Sequence, residues 1–179
     1  MNMQEQAAIK GLFSGVQWRK IKGVWTPIWK GIFPNTIVTV GKNAILNEAL
    51  AGSGYTAACY MGLISSVDWS EILAGDTMTS HTGWKEAGTT NAPDYSGDRK
   101  TCVWAAAAAG AKSLSAALSF TFTETGTVKG AFIVFGTGAS ATKDNTGGVL
   151  LSAALCDEGD RIVSAPGDIL NMSWTGTLT

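Results

Sequence analysis

Polar and apolar residues alternate most cleanly in the C-terminal half of the chain. Leu118, Phe120 and Phe122 alternate with Ser119, Thr121 and Thr123, the period of two expected of a strand with one buried face. Gly126 punctuates, and the run VKGAFIVF at 128–135 predicts a second strand, buried on both faces. Further strands are predicted at 149–155, about 161–163 and 169–174, with the Gly-Asp pairs at 159–160 and 167–168 supplying turns. Upstream, the β-branched run at 36–40 (TIVTV) predicts a strand that Gly41 ends. The segment KNAILNEALA at 42–51 has apolar residues at 45, 46, 49 and 50 and predicts one short helix, stopped by Gly52. The apolar stretch AACYMGLI at 57–64 predicts a buried strand, whereas the run 105–109 after Trp104 fits helix or loop equally. Short strands separated by turn residues imply a mainly β fold: an antiparallel β-sandwich or jelly-roll-like domain with one short helix.

Two segments lie outside this pattern. In residues 1–35, Pro27 and Pro34 oppose a continuous helix, and glycines at 11, 15, 23 and 31 oppose a compact core element. The segment is therefore expected to be an extended N-terminal arm ahead of a β-sandwich domain at 36–179. Its tryptophans are interleaved with basic residues, so Trp18, Arg19, Lys20, Lys22, Trp25 and Trp29 are the candidate partner-binding side chains. Such a mixture suits anchoring in pockets on a protein better than packing within the chain, and either better than stacking on single-stranded nucleic acid or lying at a membrane interface. The second segment, 65–100, is a long connection carrying Asp76, His81 and Trp84. Connections of this length are usually functional, and the segment is expected to be a contact surface. Asp76 is placed to cap a helical turn, or to hydrogen-bond with His81 over a packed Trp84.

Composition changes the picture in one respect. The chain has 179 residues, 45% of them hydrophobic, enough for one core, but only 15% are charged, against the roughly 25% usual in soluble domains. So little charge implies that other protein covers much of the surface. The charge is also uneven. Residues 1–47 carry six basic side chains against Glu5 alone, a net +5, and the remainder carries seven basic and thirteen acidic, a net −6. That asymmetry favours head-to-tail contact between copies.

Specific chemistry finds little support. His81 stands beside Ser80 and five residues after Asp76, but no GxSxG elbow accompanies it, so a Ser-His-Asp relay is not expected. Cys59, Cys102 and Cys156 are widely spaced and odd in number; they read as small buried hydrophobes in a reducing compartment, with no disulfide framework or zinc knuckle. The carboxylates Asp157, Glu158 and Asp160 lack the EF-hand spacing, and no GxxxxGK[ST] occurs. No cofactor, metal or catalytic residue is expected, and no stretch approaches the roughly 20 apolar residues of a membrane span.

Three groups of residues carry a resemblance: Tyr60-Met61-Gly62-Leu63-Ile64; Gly75-Asp76-Thr77-Met78-Thr79-Ser80-His81-Thr82-Gly83-Trp84-Lys85-Glu86; and Tyr95-Ser96 with Arg99. Together with a G-x-V-x-G-A-F strand at 126–132 and a G-D-x-L strand at 167–170, they resemble a pattern of tailed-bacteriophage virion structural proteins, over roughly 36–179. The resemblance implies a virion component assembled in the host cytoplasm. It would be a head-decoration (cement) protein binding across major capsid protein subunits or, alternatively, a tail or head fibre or spike component in host attachment. It further implies a non-enzymatic homo-oligomer, a trimer rather than a dimer, whose partners are other virion proteins.

Overall fold

The computed structural model describes residues 8–51, 58–156 and 159–178. Its strands are β1 (Ile9–Ile21), β2 (Val24–Pro34), β3 (Thr36–Ile37), β4 (Cys59–Ser65), β5 (Lys100–Thr101), β6 (Ala111–Ser113), β7 (Leu118–Thr121), β8 (Gly126–Phe135), β9 (Val149–Leu155), β10 (Arg161–Val163) and β11 (Ile169–Leu178), with one helix, α1 (Thr39–Ala51), after β3. Among the described residues they form two antiparallel sheets. The first runs β2-β1-β11-β6, with β7 beside β6 on the same flank of β11. The second runs β3-β9-β8-β4-β5, with β10 paired to the start of β8.

The sheets pack face to face. Phe13, Phe33, Phe120, Leu170, Met172 and Trp174 of the first meet Met61, Leu63, Ala131, Ile133 and Leu151 of the second in one core. Alternation in β11 follows from that packing: Leu170, Met172, Trp174 and Gly176 face in, and Asn171, Ser173, Thr175 and Thr177 lie between them. The fold is thus the mainly β sandwich with one helix that the strand pattern implies. Several boundaries also agree closely, among them β9 at 149–155 and β10 at 161–163.

Residues 9–34 are extended, as expected, yet they do not stand apart from the body. Ile9 through Trp18 pair with Leu178 through Ile169 of β11, and β2 folds back on β1 through the two-residue turn Lys22-Gly23. Both turn residues have positive φ, 49° and 85°, the geometry whose twist matches a two-residue hairpin. The hairpin joins the sheet because Phe13 and Phe33 supply core, both almost fully buried and stacked with ring centroids 5.7 Å apart. Residues 1–7 of the expected arm lie outside the described residues.

The strand expected at 36–40 stops at Ile37, and the helix begins at Thr39 rather than 42. The Val38 N–H turns to the Leu151 carbonyl, and the Val38 carbonyl accepts from the Lys42 N–H, opening the first helical turn. Gly41 does not end an element; it lets that turn approach β9, where an added Cβ would lie 2.5 Å from the Leu151 oxygen. The run 105–109 is irregular and ends in a turn into β6.

Candidate interaction surface

The two sheets differ in what covers their outer faces. On the second sheet, the connection at 66–99 and the start of α1 lay down a third layer. Trp84, Met78 and Val38 form a second core with Ile64, Phe132, Val134 and Leu150. β8 is therefore buried on both sides, as its unbroken apolar sequence predicts. Trp84 is fully buried, its ring 5.2 Å from that of Phe132 and stacked on His81 at 3.9 Å. Its indole N–H donates to Asp76 Oδ2 (2.9 Å), which also accepts the Leu73 N–H (3.0 Å). His81 Nδ1 donates to the Trp84 carbonyl at 3.0 Å, the carbonyl having no proton to give. The structure thus brings Asp76, His81 and Trp84 together, but Asp76 and His81 each engage Trp84 instead of one another. Asp76 caps a tight turn and not a helix.

Sequence reasoning missed the ion pair beside this group. Arg99, fully buried, grips Glu86 through Nε–Oε1 (2.8 Å) and Nη2–Oε2 (2.6 Å). Arg99 also donates to the carbonyls of Ser140 and Asn145, and Glu86 Oε2 accepts the Asp144 N–H. The guanidinium lies 5.3 Å over Phe132. One pair therefore ties the connection to the 136–148 loop and to the sheet beneath. No sequence signal marks it, since the partners are thirteen positions apart in irregular chain.

Among the described residues nothing comparable covers the outer face of the first sheet. Leu12, Ser14 and Val16 of β1 stand beside Pro34, Ile32 and Lys30 of β2 on one flank and Thr175, Ser173 and Asn171 of β11 on the other. Leu12 is 47% exposed and Ile32 60%. Beyond Trp18 the hairpin outruns β11, and its end carries exposed Ile21, Val24 and Trp25 alongside Lys20 and Lys22. None of the five strands of this sheet contains an Asp or Glu, while β1 and β2 carry Lys10, Arg19, Lys20 and Lys30.

The six candidate arm residues divide accordingly. Lys20, Lys22 and Trp25 are exposed on the projecting end, and Trp18 is half-buried. Arg19 is engaged within the chain: Nε and Nη2 clasp the Asp168 carboxylate, itself 2% exposed, and Nη2 reaches the Ile162 carbonyl. Trp29 packs inward against Phe33 and over Gly15 and Gly31, with the Arg161 guanidinium 4.3 Å from its ring. It is part of the core margin, not of the exposed set.

Other titratable groups gather beside β7. A polar cleft of about 600 Å³ is bordered by Asp94, Tyr95, Asp98, Thr123, Lys143 and Asp144. Partial burial works to raise the Asp94 pKa. The Lys143 ammonium at 2.6 Å, the Tyr95 N–H and the Thr89 hydroxyl outweigh it and hold the carboxyl below its ordinary range. All three thiols are buried and free. Cys59 and Cys102, far apart in sequence, are cross-strand neighbours, and their mutual hydrogen bond together with burial pushes the Cys102 pKa up. Burial pushes the Cys156 thiol up to about 12. Of the three carboxylates weighed for calcium, Asp160 pairs with Lys129 at 2.9 Å, and Asp157 and Glu158 lie outside the described residues. Among the described residues no cluster of His, Cys, Asp and Glu could hold a metal ion, and no helix is long and apolar enough to cross a membrane.

Comparison of the chain with family models, with curated proteins and with solved structures yields no match.

Proposed function

We propose that this protein is a non-enzymatic structural subunit of a bacteriophage virion, a decoration protein that seats the outer face of its first sheet on the capsid shell. The observation that carries the reading is the contrast between that bare face and its covered counterpart. Leu12, Ile32 and Pro34, flanked by the uncharged row Asn171, Ser173 and Thr175, form a face without carboxylates that water meets directly. A chain with only 15% charged residues has little other means of keeping such a face apart from protein, and apolar faces with an uncharged polar surround are the kind that protein partners bury. The resemblance of 36–179 to virion proteins supplies the class of partner. Adhesion of this kind stabilises a shell by adding buried interface and involves no turnover.

The test is binding to particles that lack the protein, followed by a count of copies per particle. Deleting residues 1–35 would strip Phe13 and Phe33 from the core, so point substitutions are the proper probe. Leu12→Ser with Ile32→Ser should leave a folded chain that binds at least tenfold more weakly, the loss expected when two aliphatic side chains worth about 1.5–3 kcal/mol each on full burial are removed. Saturation at hundreds of wild-type copies supports decoration. A handful at one vertex would move the assignment to a fibre or spike component, and undiminished binding by the double variant would remove the face from the account.

A further inference from the structure

Building on that reading, we infer that the free margin of β2 and the hairpin end dock sideways into the acidic cleft beside β7 of a second copy of this chain. The sheet order places these features at opposite edges. β2 is one edge of the first sheet, while the cleft adjoins the other, where Tyr95 bridges to Phe122 and the Thr123 N–H donates to the Asp94 carbonyl. One edge offers Lys20, Lys22 and Lys30, none in an ion pair among the described residues, together with exposed Val24 and Trp25. The other offers Asp98 and Glu124, both exposed and outside any ion pair among the described residues, with Asp144 on the cleft wall. Opposite charge at opposite edges makes the contact heterologous, and copies so joined close into a ring or extend as a row across a surface.

The backbone of β2 argues that this contact is made by side chains and not by strand addition. Pro27 and Pro34 remove donors from the strand and Lys30 stands on it. Ile28 bulges where the register slips between Gln17↔Trp29 and Trp18↔Pro27. Prolines, lysine and a bulge are the devices that keep an edge from templating another strand. What remains for a neighbour is the lysine and aromatic surface, which a carboxylate-lined cleft with an open mouth can receive.

The experiment is sedimentation velocity on the full chain, with circular dichroism confirming that each variant keeps the β fold. At low ionic strength the wild type should self-associate, and association should weaken at least tenfold near 1 M salt, where the Debye length falls to about 3 Å. Lys20→Glu with Lys30→Glu breaks one edge, and Asp98→Lys with Glu124→Lys breaks the other. Each double variant alone should remain monomeric at low salt. Wild-type-like association by either one, or a wild type that stays monomeric at low salt, overturns the inference. The virion reading is judged separately: a monomeric chain that binds particles refutes only the sideways contact, and an associating chain that ignores particles refutes only the seating on the shell.

Discussion

The two outer faces of this sandwich both belong to antiparallel sheets that share one core, and they were given opposite treatments. Over the second sheet, about thirty residues without regular structure are fixed in place by Trp84, by the Asp76 carboxylate bonded to its indole N–H and by the Arg99–Glu86 pair. Over the first, Leu12 and Ile32 meet solvent and every strand is free of acidic residues. Irregular chain can serve as a layer when a few buried polar contacts each satisfy several backbone groups. A bare face costs nothing in folding but leaves its apolar area available to a partner.

Substitutions on the two faces should separate stability from association. The largest effect is expected from Arg99→Met, which leaves Glu86 buried without its cation; losses on breaking such a pair run about 3–5 kcal/mol, readable as a fall in the urea midpoint. Trp84→Phe keeps most of the packing but takes the indole donor from Asp76. Thermal unfolding should show a loss of about 1–3 kcal/mol, the penalty for a buried acceptor deprived of a partner. Asp94→Asn acts through pH. Because the folded-state pKa of Asp94 lies below its unfolded value, its contribution is present above about pH 4 and is lost as pH falls through the folded value. The variant should therefore show a shallower acid limb in a stability–pH profile than the wild type. The smallest effect on folding belongs to Leu12→Ser with Ile32→Ser, within about 0.5 kcal/mol as for surface positions generally, even as particle binding falls. A double variant that unfolds early would mean the face is structural after all.

Much of this architecture is legible in the residues because burial on one or two faces writes a period of two or an unbroken run. β8 and β9 are read that way with little error. Contacts made by irregular chain leave no such trace, so the meeting of Glu86 with Arg99, or of Cys59 with Cys102, has no signature in spacing. The hairpin was half visible: Lys22-Gly23 sits between β-branched and aromatic residues, but lysine is not the usual first residue of such a turn. The parity of its tryptophans was hidden as well. The bulge at Ile28 shifts register between Pro27 and Trp29, so Trp25 is left outside while Trp29 packs inward. Regularly alternating strands would not have produced that split.

The pairing of β1 with β11, from Ile9↔Leu178 to Trp18↔Ile169, has a consequence for the order of events in synthesis. The second sheet can pair β4, β8 and β9 as soon as residue 155 has left the ribosome. The first has to wait for 169–178, with Phe13 and Phe33 exposed in the interval. Contacts of such high sequence separation close slowly, and chains caught before closure present unpaired strands to one another. The time that synthesis takes to reach β11 therefore sets how long this aggregation-prone stage lasts.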